Sequence, residues 1–141
     1  MSNIVITATK FLDVEAGHRL IRHESKCKNY HGHHYRFEIT CFAMALDDVG
    51  RVIDFSDIKR YVGSWLDSHW DHAMIVEQGD ELIPHFVRMG MKHFVMPSAP
   101  TAENLALYVL QISRVCLPPH ISVQRVRCHE TPTCYADAIA G

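Results

Sequence analysis

At 141 residues, 48% hydrophobic and 21% charged, the chain has the material for a single domain, residues 1–141, able to bury about 68% of its unfolded surface. Fourteen Lys and Arg against 16 Asp and Glu give a net charge of -2, which excludes the strongly basic footprint of a nucleic-acid or anionic-membrane binder. No apolar run approaches the roughly 20 residues of a membrane span, and the opening MSNIVITATKF lacks a basic stretch followed by an apolar one, so a cytoplasmic protein is expected.

In chain order, residues 3–15 combine β-branched and aromatic residues in partial alternation and predict a long first strand. Residues 35–46 predict a second; Asp47, Asp48 and Gly50 then supply a turn into a short strand over 52–55, completing an expected hairpin. Asp54 or Ser56 can cap a helix whose Ile58, Val62, Trp65 and Leu66 recur at helical spacing to about Ser68. A weaker helix is predicted over 81–89, ending near Gly90, with a short strand over 93–96. Thr101 or Ser98 starts the strongest helix, which runs to Cys116 with Leu105, Val109 and Ile112 on one stripe. After Pro118-Pro119, residues 121–128 predict a last strand whose alternation changes phase between Val123 and Val126, the mark of a bulge or of two-sided burial. The resulting class is α+β, with antiparallel strands and helices on one sheet face. Long strands in so small a chain leave open edges, a common remedy for which is oligomerisation.

The eleven histidines are the unusual entry in the composition. His31 and His33 stand two apart at a strand start and point to one side, His34 to the other. If the loop between Leu20 and Tyr30 reverses the chain, His18 lies opposite that pair. Three neutral imidazoles with a fourth position open are the donor set of a catalytic zinc site. His23 and His34 compete for the ligand positions. The five cysteines are an odd set without a CxxC pair, so free thiols are expected, with Cys41 and Cys116 as core residues. Cys27 differs, because Lys26 and Lys28 flank it and favour its thiolate. Asp71-His72 offers a carboxylate that orients an imidazole, provided that the Trp70-Asp71-His72 segment is a turn or helix end. His69 and Asp67 are the rivals for these roles. Glu103 and Glu130 are candidates to bind adjacent N–H donors of a polar ring. Arg19, Arg22, His23, Lys26 and Lys28 make a positive run suited to phosphate or to a solvated face.

Together, AGH at 16–18, CKNYHGHHY at 27–35, GRVIDFSDIK at 50–59, WDH at 70–72, PTAEN at 100–104 and HET at 129–131 resemble the family of 6-pyruvoyltetrahydropterin synthase and 6-carboxytetrahydropterin synthase, the latter acting in the bacterial route to queuosine. The resemblance implies a tunnelling fold, a four-stranded antiparallel sheet with helices on one face. Trimers would pool strands into a barrel and pair into hexamers, with sites between subunits. It implies Zn2+ on His18, His31 and His33, Cys27 as general base with Asp71 and His72, and Glu130 anchoring a pterin ring beside Thr101 and Glu103. The implied substrate is 7,8-dihydroneopterin triphosphate, converted either to 6-carboxytetrahydropterin, acetaldehyde and triphosphate or to a 6-pyruvoyl product. A pterin-binding protein without turnover is the alternative of another class. Two positions depart from the family's pattern: Gly17 stands where alanine is common, and Ala73-Met74 follows the Asp-His pair where Leu-Asn is frequent.

Overall fold

The structure, a computed structural model, describes residues 3–141. Strand β1 (Ile6–His18) leads through a loop with one 3-10 turn at Lys26–Lys28 into β2 (His31–Ala43). The helical stretch that follows is α1 (Phe55–Ile58), a π-helical turn at Lys59–Gly63 and α2 (Ser64–His69). Strand β3 (Ala73–Glu77), α3 (Ile83–Met89) and β4 (His93–Met96) come next. The chain closes with α4 (Ala102–Cys116), β5 (Ser122–Thr131) and β6 (Cys134–Ile139).

All six strands form one sheet in the order β4-β3-β1-β2-β5-β6. Its body is the expected four-stranded antiparallel array, β1-β2-β5-β6. Beside it, β3 pairs parallel with β1 and β4 parallel with β3. The phase change in the last long strand is a bulge: Arg125 faces Thr40 and Val123 faces Cys41, so Gln124 has no partner across the ladder.

Alternation sets the two faces. Leu12, Val14 and Ala16 of β1, Tyr35, Phe37, Ile39 and Cys41 of β2, and Val126 and Cys128 of β5 are buried on one side. Against them pack Ile58, Val62 and Leu66, four residues apart on the first helical stretch, and Leu105, Val109 and Leu110 of α4. Each such fully buried aliphatic side chain contributes roughly 1.5–3 kcal/mol. Thr101 caps α4, its hydroxyl accepting from Asn104 N at 3.1 Å, and Asp54 caps α1 by accepting from Ser56 N at 2.9 Å. The opposite face carries paired charges instead: Arg36 on Asp13, Arg125 on Glu38 and Arg127 on Asp137.

Two sequence expectations need correction. Residues 52–55 do not form a strand. Both edges of β2 are already occupied by β1 and β5, and Asp54 turns the chain straight into α1. The strands β3 and β6 went unpredicted, the first because its five residues are a short apolar run, the second because exposed and half-buried positions alternate along it without strong apolar contrast.

The two departures from the family pattern meet in space. Gly17 and Met74 are register partners across β1 and β3, and a Cβ on Gly17 would lie 2.5 Å from the Met74 sulfur and 3.3 Å from the His31 carbonyl oxygen. Met74 fills the volume that a residue-17 side chain would take.

Candidate metal centre and active site

The antiparallel register of β1 and β2 sets His18 opposite His31 and His33 opposite Ala16. These three rings continue the buried face of both strands past the end of the hydrophobic core, at mutual centroid distances of 4.7, 5.1 and 4.9 Å. One ligand atom from each lies within 4.8 Å of the others. His18 Nδ1 lies 2.7 Å from the Pro100 carbonyl oxygen, and His31 Nδ1 lies 2.8 Å from that of Asn29. A carbonyl only accepts, so both Nδ1 atoms carry the proton and both Nε2 atoms present lone pairs inward. Those two Nε2 atoms are 3.2 Å apart, and His33 Nε2 is buried without any hydrogen-bond partner.

Burial is the main cause that holds the pKa values of His18 and His33 below the ordinary histidine range. Neutral imidazoles with facing lone pairs repel one another unless a cation sits between them. Zinc–nitrogen bonds of about 2.0–2.1 Å at tetrahedral angles put ligand nitrogens about 3.3 Å apart, close to the His18–His31 spacing. The residues present therefore fit a zinc ion held by three histidines with a fourth position open. The carboxylate of Glu130, at the end of β5, lies 3.9 Å from both His18 Nε2 and His33 Nε2.

The depressed values have a sign that can be checked in metal-free protein. The unfolded chain takes up protons near pH 6.5, before folded His18 and His33 do, so stability is lost as pH falls through and below 6.5. The unfolding midpoint of metal-free protein is expected to drop between pH 7.5 and pH 5.5, and saturating zinc is expected to hold it up at the higher pH. A flat profile across this range would remove the desolvation of His18 and His33 as its cause.

Asp71 and His72 occupy the turn that follows α2, as the pairing of adjacent side chains demands. Trp70 N and Asp71 N both donate to Leu66 O, and His72 takes a left-handed backbone, φ 59°, a conformation that histidine tolerates better than most residues. Asp71 Oδ1 accepts from Glu15 N at 3.0 Å and Oδ2 from His72 Nδ1 at 2.9 Å. The Glu15 N–H is the main cause of a carboxyl pKa below the usual range. His72 Nε2 is thus left with its lone pair, on a ring that is 76% exposed. This ring lines a cavity of about 540 Å³ with Tyr30, His31, Met74 and Met91.

Other sequence-selected residues lie apart within one chain. Cys27 sits half-buried as a free thiol in the 3-10 turn, and among the described residues no hydrogen bond joins it to His72. Thr101 lines a small cavity with Leu20, Arg22 and Glu77, while Glu103 is exposed in the first turn of α4. Glu130 instead lines a larger cavity, about 700 Å³, with His33, Arg36 and His129. The rivals are accounted for: His34 points to the opposite face, bonded to Glu15; His23 Nδ1 accepts from Ser25 N; His69 donates to Trp65 O; Asp67 is exposed on α2. Sequence reasoning missed the carbonyls of Asn29 and Pro100, which have no side-chain signature, although Pro100 opens one of the motifs. It also missed Asp80, a buried carboxylate in a segment without a motif.

A sheet with its buried face continued into a three-histidine centre defines a metal-site protein of α+β architecture. The sequence matches the family described as 6-pyruvoyl tetrahydropterin synthase over residues 7–139, and the chain belongs to that family. It is 36% identical over 137 residues to the 6-carboxy-5,6,7,8-tetrahydropterin synthase of Rickettsia typhi, covering 94% of this chain and 99% of that protein. Among solved structures, an uncharacterized protein from Wolinella succinogenes superposes with a TM-score of 0.86 at 21% identity, over 98% of this chain and 99% of that one. The 6-pyruvoyl tetrahydropterin synthase of Caenorhabditis elegans superposes at 0.74 and 21% identity over the whole of both chains. The fold is therefore the tunnelling fold. No helix among the described residues is long and apolar enough to cross a membrane.

Proposed function

We propose that this chain, as one domain over 1–141, is a zinc-dependent 6-carboxy-5,6,7,8-tetrahydropterin synthase, a lyase of queuosine biosynthesis acting in the cytoplasm on 7,8-dihydroneopterin triphosphate. The observation that carries the reading is the convergence of three Nε2 atoms, two of them oriented by backbone carbonyls and the third without a partner. The relatives more than 30% identical are named for this activity, one of them as probable.

His18, His31 and His33 would hold the ion. When bound, it supplies a Lewis acid that stabilises negative charge developing on the substrate's side-chain oxygens. Glu130 accepts two N–H bonds from the pterin ring, which fixes the side chain of the substrate over the triad; Thr101 and Glu103, at the start of α4 and outside Glu130's cavity in one chain, would join that pocket from a neighbouring chain. Cys27 as thiolate takes a proton from the side chain and returns it. His72, with Nδ1 held by Asp71, exchanges a proton at Nε2. Because Cys27 and His72 are unconnected within one chain, the working site draws them from neighbouring chains. The open edges at β4 and β6 are suited to that assembly, a hexamer built as a dimer of trimers.

The test is to incubate zinc-loaded protein with 7,8-dihydroneopterin triphosphate and identify products by mass spectrometry. Acetaldehyde with a carboxypterin is expected. Accumulation of a pyruvoyl product would assign the chain to the other branch of the family, and tight pterin binding without product would make it a binding protein.

A further inference from the structure

Between the ligands His18 and His31 the chain makes a twelve-residue excursion, residues 19–30, which carries Cys27. Such a loop has its own conformational freedom unless something fixes it, and both the ligand directions and the thiol position would inherit that freedom. The residues at its two ends, Arg19 and Tyr30, converge on one carboxylate. Arg19 Nε donates to Asp80 Oδ2 at 2.9 Å and Arg19 Nη2 to Oδ1 at 2.7 Å, while Tyr30 OH donates to Oδ2 at 2.8 Å.

Asp80 is only 3% exposed and is itself aimed by the Leu82 N–H, which donates to Oδ1 at 2.9 Å. The Arg19 guanidinium also lies 5.0 Å from the centre of the Tyr30 ring, and that ring packs edge-on against Phe86 of α3. Inside the loop, Leu20 N donates to Cys27 O at 2.8 Å and Asn29 N to Lys26 O at 3.0 Å. The tie is therefore continuous, from the buried carboxylate through both loop ends to the cysteine turn and to Asn29, whose carbonyl orients His31.

We propose that Asp80 is a positioning residue for the metal centre and the cysteine loop: its carboxylate clamps the two residues that adjoin ligands His18 and His31. The proposal rests on the reading of His18, His31 and His33 as a zinc site. A bidentate Arg–carboxylate pair that also accepts a phenol and a backbone N–H fixes direction as well as distance. Contacts made directly to a metal ligand change metal affinity by about 10–100-fold when removed; Asp80 acts one residue further out, through Arg19 and Tyr30, so the lower end, about 10-fold, applies. Nearby, Glu77 binds Arg22 at 2.8 Å. It is similarly buried but holds Arg22, inside the loop rather than beside a ligand, which makes it the natural comparison.

The experiment compares wild type with Asp80→Asn, Tyr30→Phe and Glu77→Gln in two measurements on protein first shown to be folded. One is zinc affinity by competition with a chromogenic chelator. The other is the rate at which metal-free protein is alkylated at Cys27 by iodoacetamide, followed by peptide mass mapping. Asp80→Asn is expected to weaken zinc binding about 10-fold and to speed Cys27 alkylation, with Tyr30→Phe smaller in the same direction and Glu77→Gln leaving zinc affinity near wild type. Equal zinc affinity in folded Asp80→Asn and wild type would overturn the proposal, as would equal losses in Asp80→Asn and Glu77→Gln. Should Asp80→Asn fail to fold, an unchanged zinc affinity in Tyr30→Phe overturns it in the same way. Wild-type protein that binds no zinc would instead overturn the metal reading on which it rests.

Discussion

Alanine in place of His18 is expected to remove stoichiometric zinc from the purified protein. A complete structural zinc site is worth about 10–16 kcal/mol, so one ligand in four carries about 3 kcal/mol, on the order of a 100-fold loss of affinity. His18 contributes more than its share of order, because its ring is 1% exposed and its Nδ1 is bonded to Pro100 O; the same substitution also opens a void at the top of the core. His31→Ala separates the two effects. Its ring is only half-buried, so it should lose zinc with a smaller drop in the unfolding midpoint of the metal-free protein. Metal analysis by mass spectrometry, with unfolding followed in the presence of chelator, checks both. Full zinc occupancy in either variant would dismantle the site.

The second large effect is expected at Cys27. A positioned proton carrier contributes about 10²–10⁴-fold to a rate, so Cys27→Ala should lower turnover by that range while zinc content and oligomeric size stay at wild type. His72→Ala should act similarly, since Asp71 then orients nothing. The two variants offer a further check on the shared site. If Cys27 and His72 act across an interface, mixing the two inactive proteins under conditions that exchange subunits should restore about a quarter of wild-type activity, because random pairing reunites both groups in one site out of four. No recovery after demonstrated exchange would place both groups in the same chain's site.

The metal triad was legible because alternation along a strand is a strong rule. His31 and His33 had to share a face, and His18 would face them if the excursion between Leu20 and Tyr30 reversed the chain, which the β1–β2 register shows it does. The need for a turn at Trp70-Asp71-His72 was equally readable, because neighbouring side chains on a helix diverge. The bulge at Gln124 announced itself as a phase change. What escaped sequence reasoning depends on contacts across long stretches of chain. Residues 52–55 looked like a strand until it was clear that β1 and β5 leave β2 no free edge. Strand β3 is too short for its period to register, and its pairing with β1 is parallel and remote. Asp80 lies 61 residues from Arg19, and nothing in its local sequence distinguishes it from a solvated aspartate. The carbonyls that orient His18 and His31 belong to the backbone, which carries no letter code at all.

The meeting of Gly17 with Met74 bears on how this active site can be exchanged with those of its relatives. A lone alanine at 17 presses on the methionine, and a lone small residue at 74 leaves a hole beside the glycine, so each single step passes through a poorer packing than either end point. The two positions form one packing unit, 57 residues apart in the chain but adjacent across a strand pair. A graft of the His18 segment alone that brought alanine to position 17 would press a Cβ into the Met74 sulfur, so the His18 and His72 segments are best moved together.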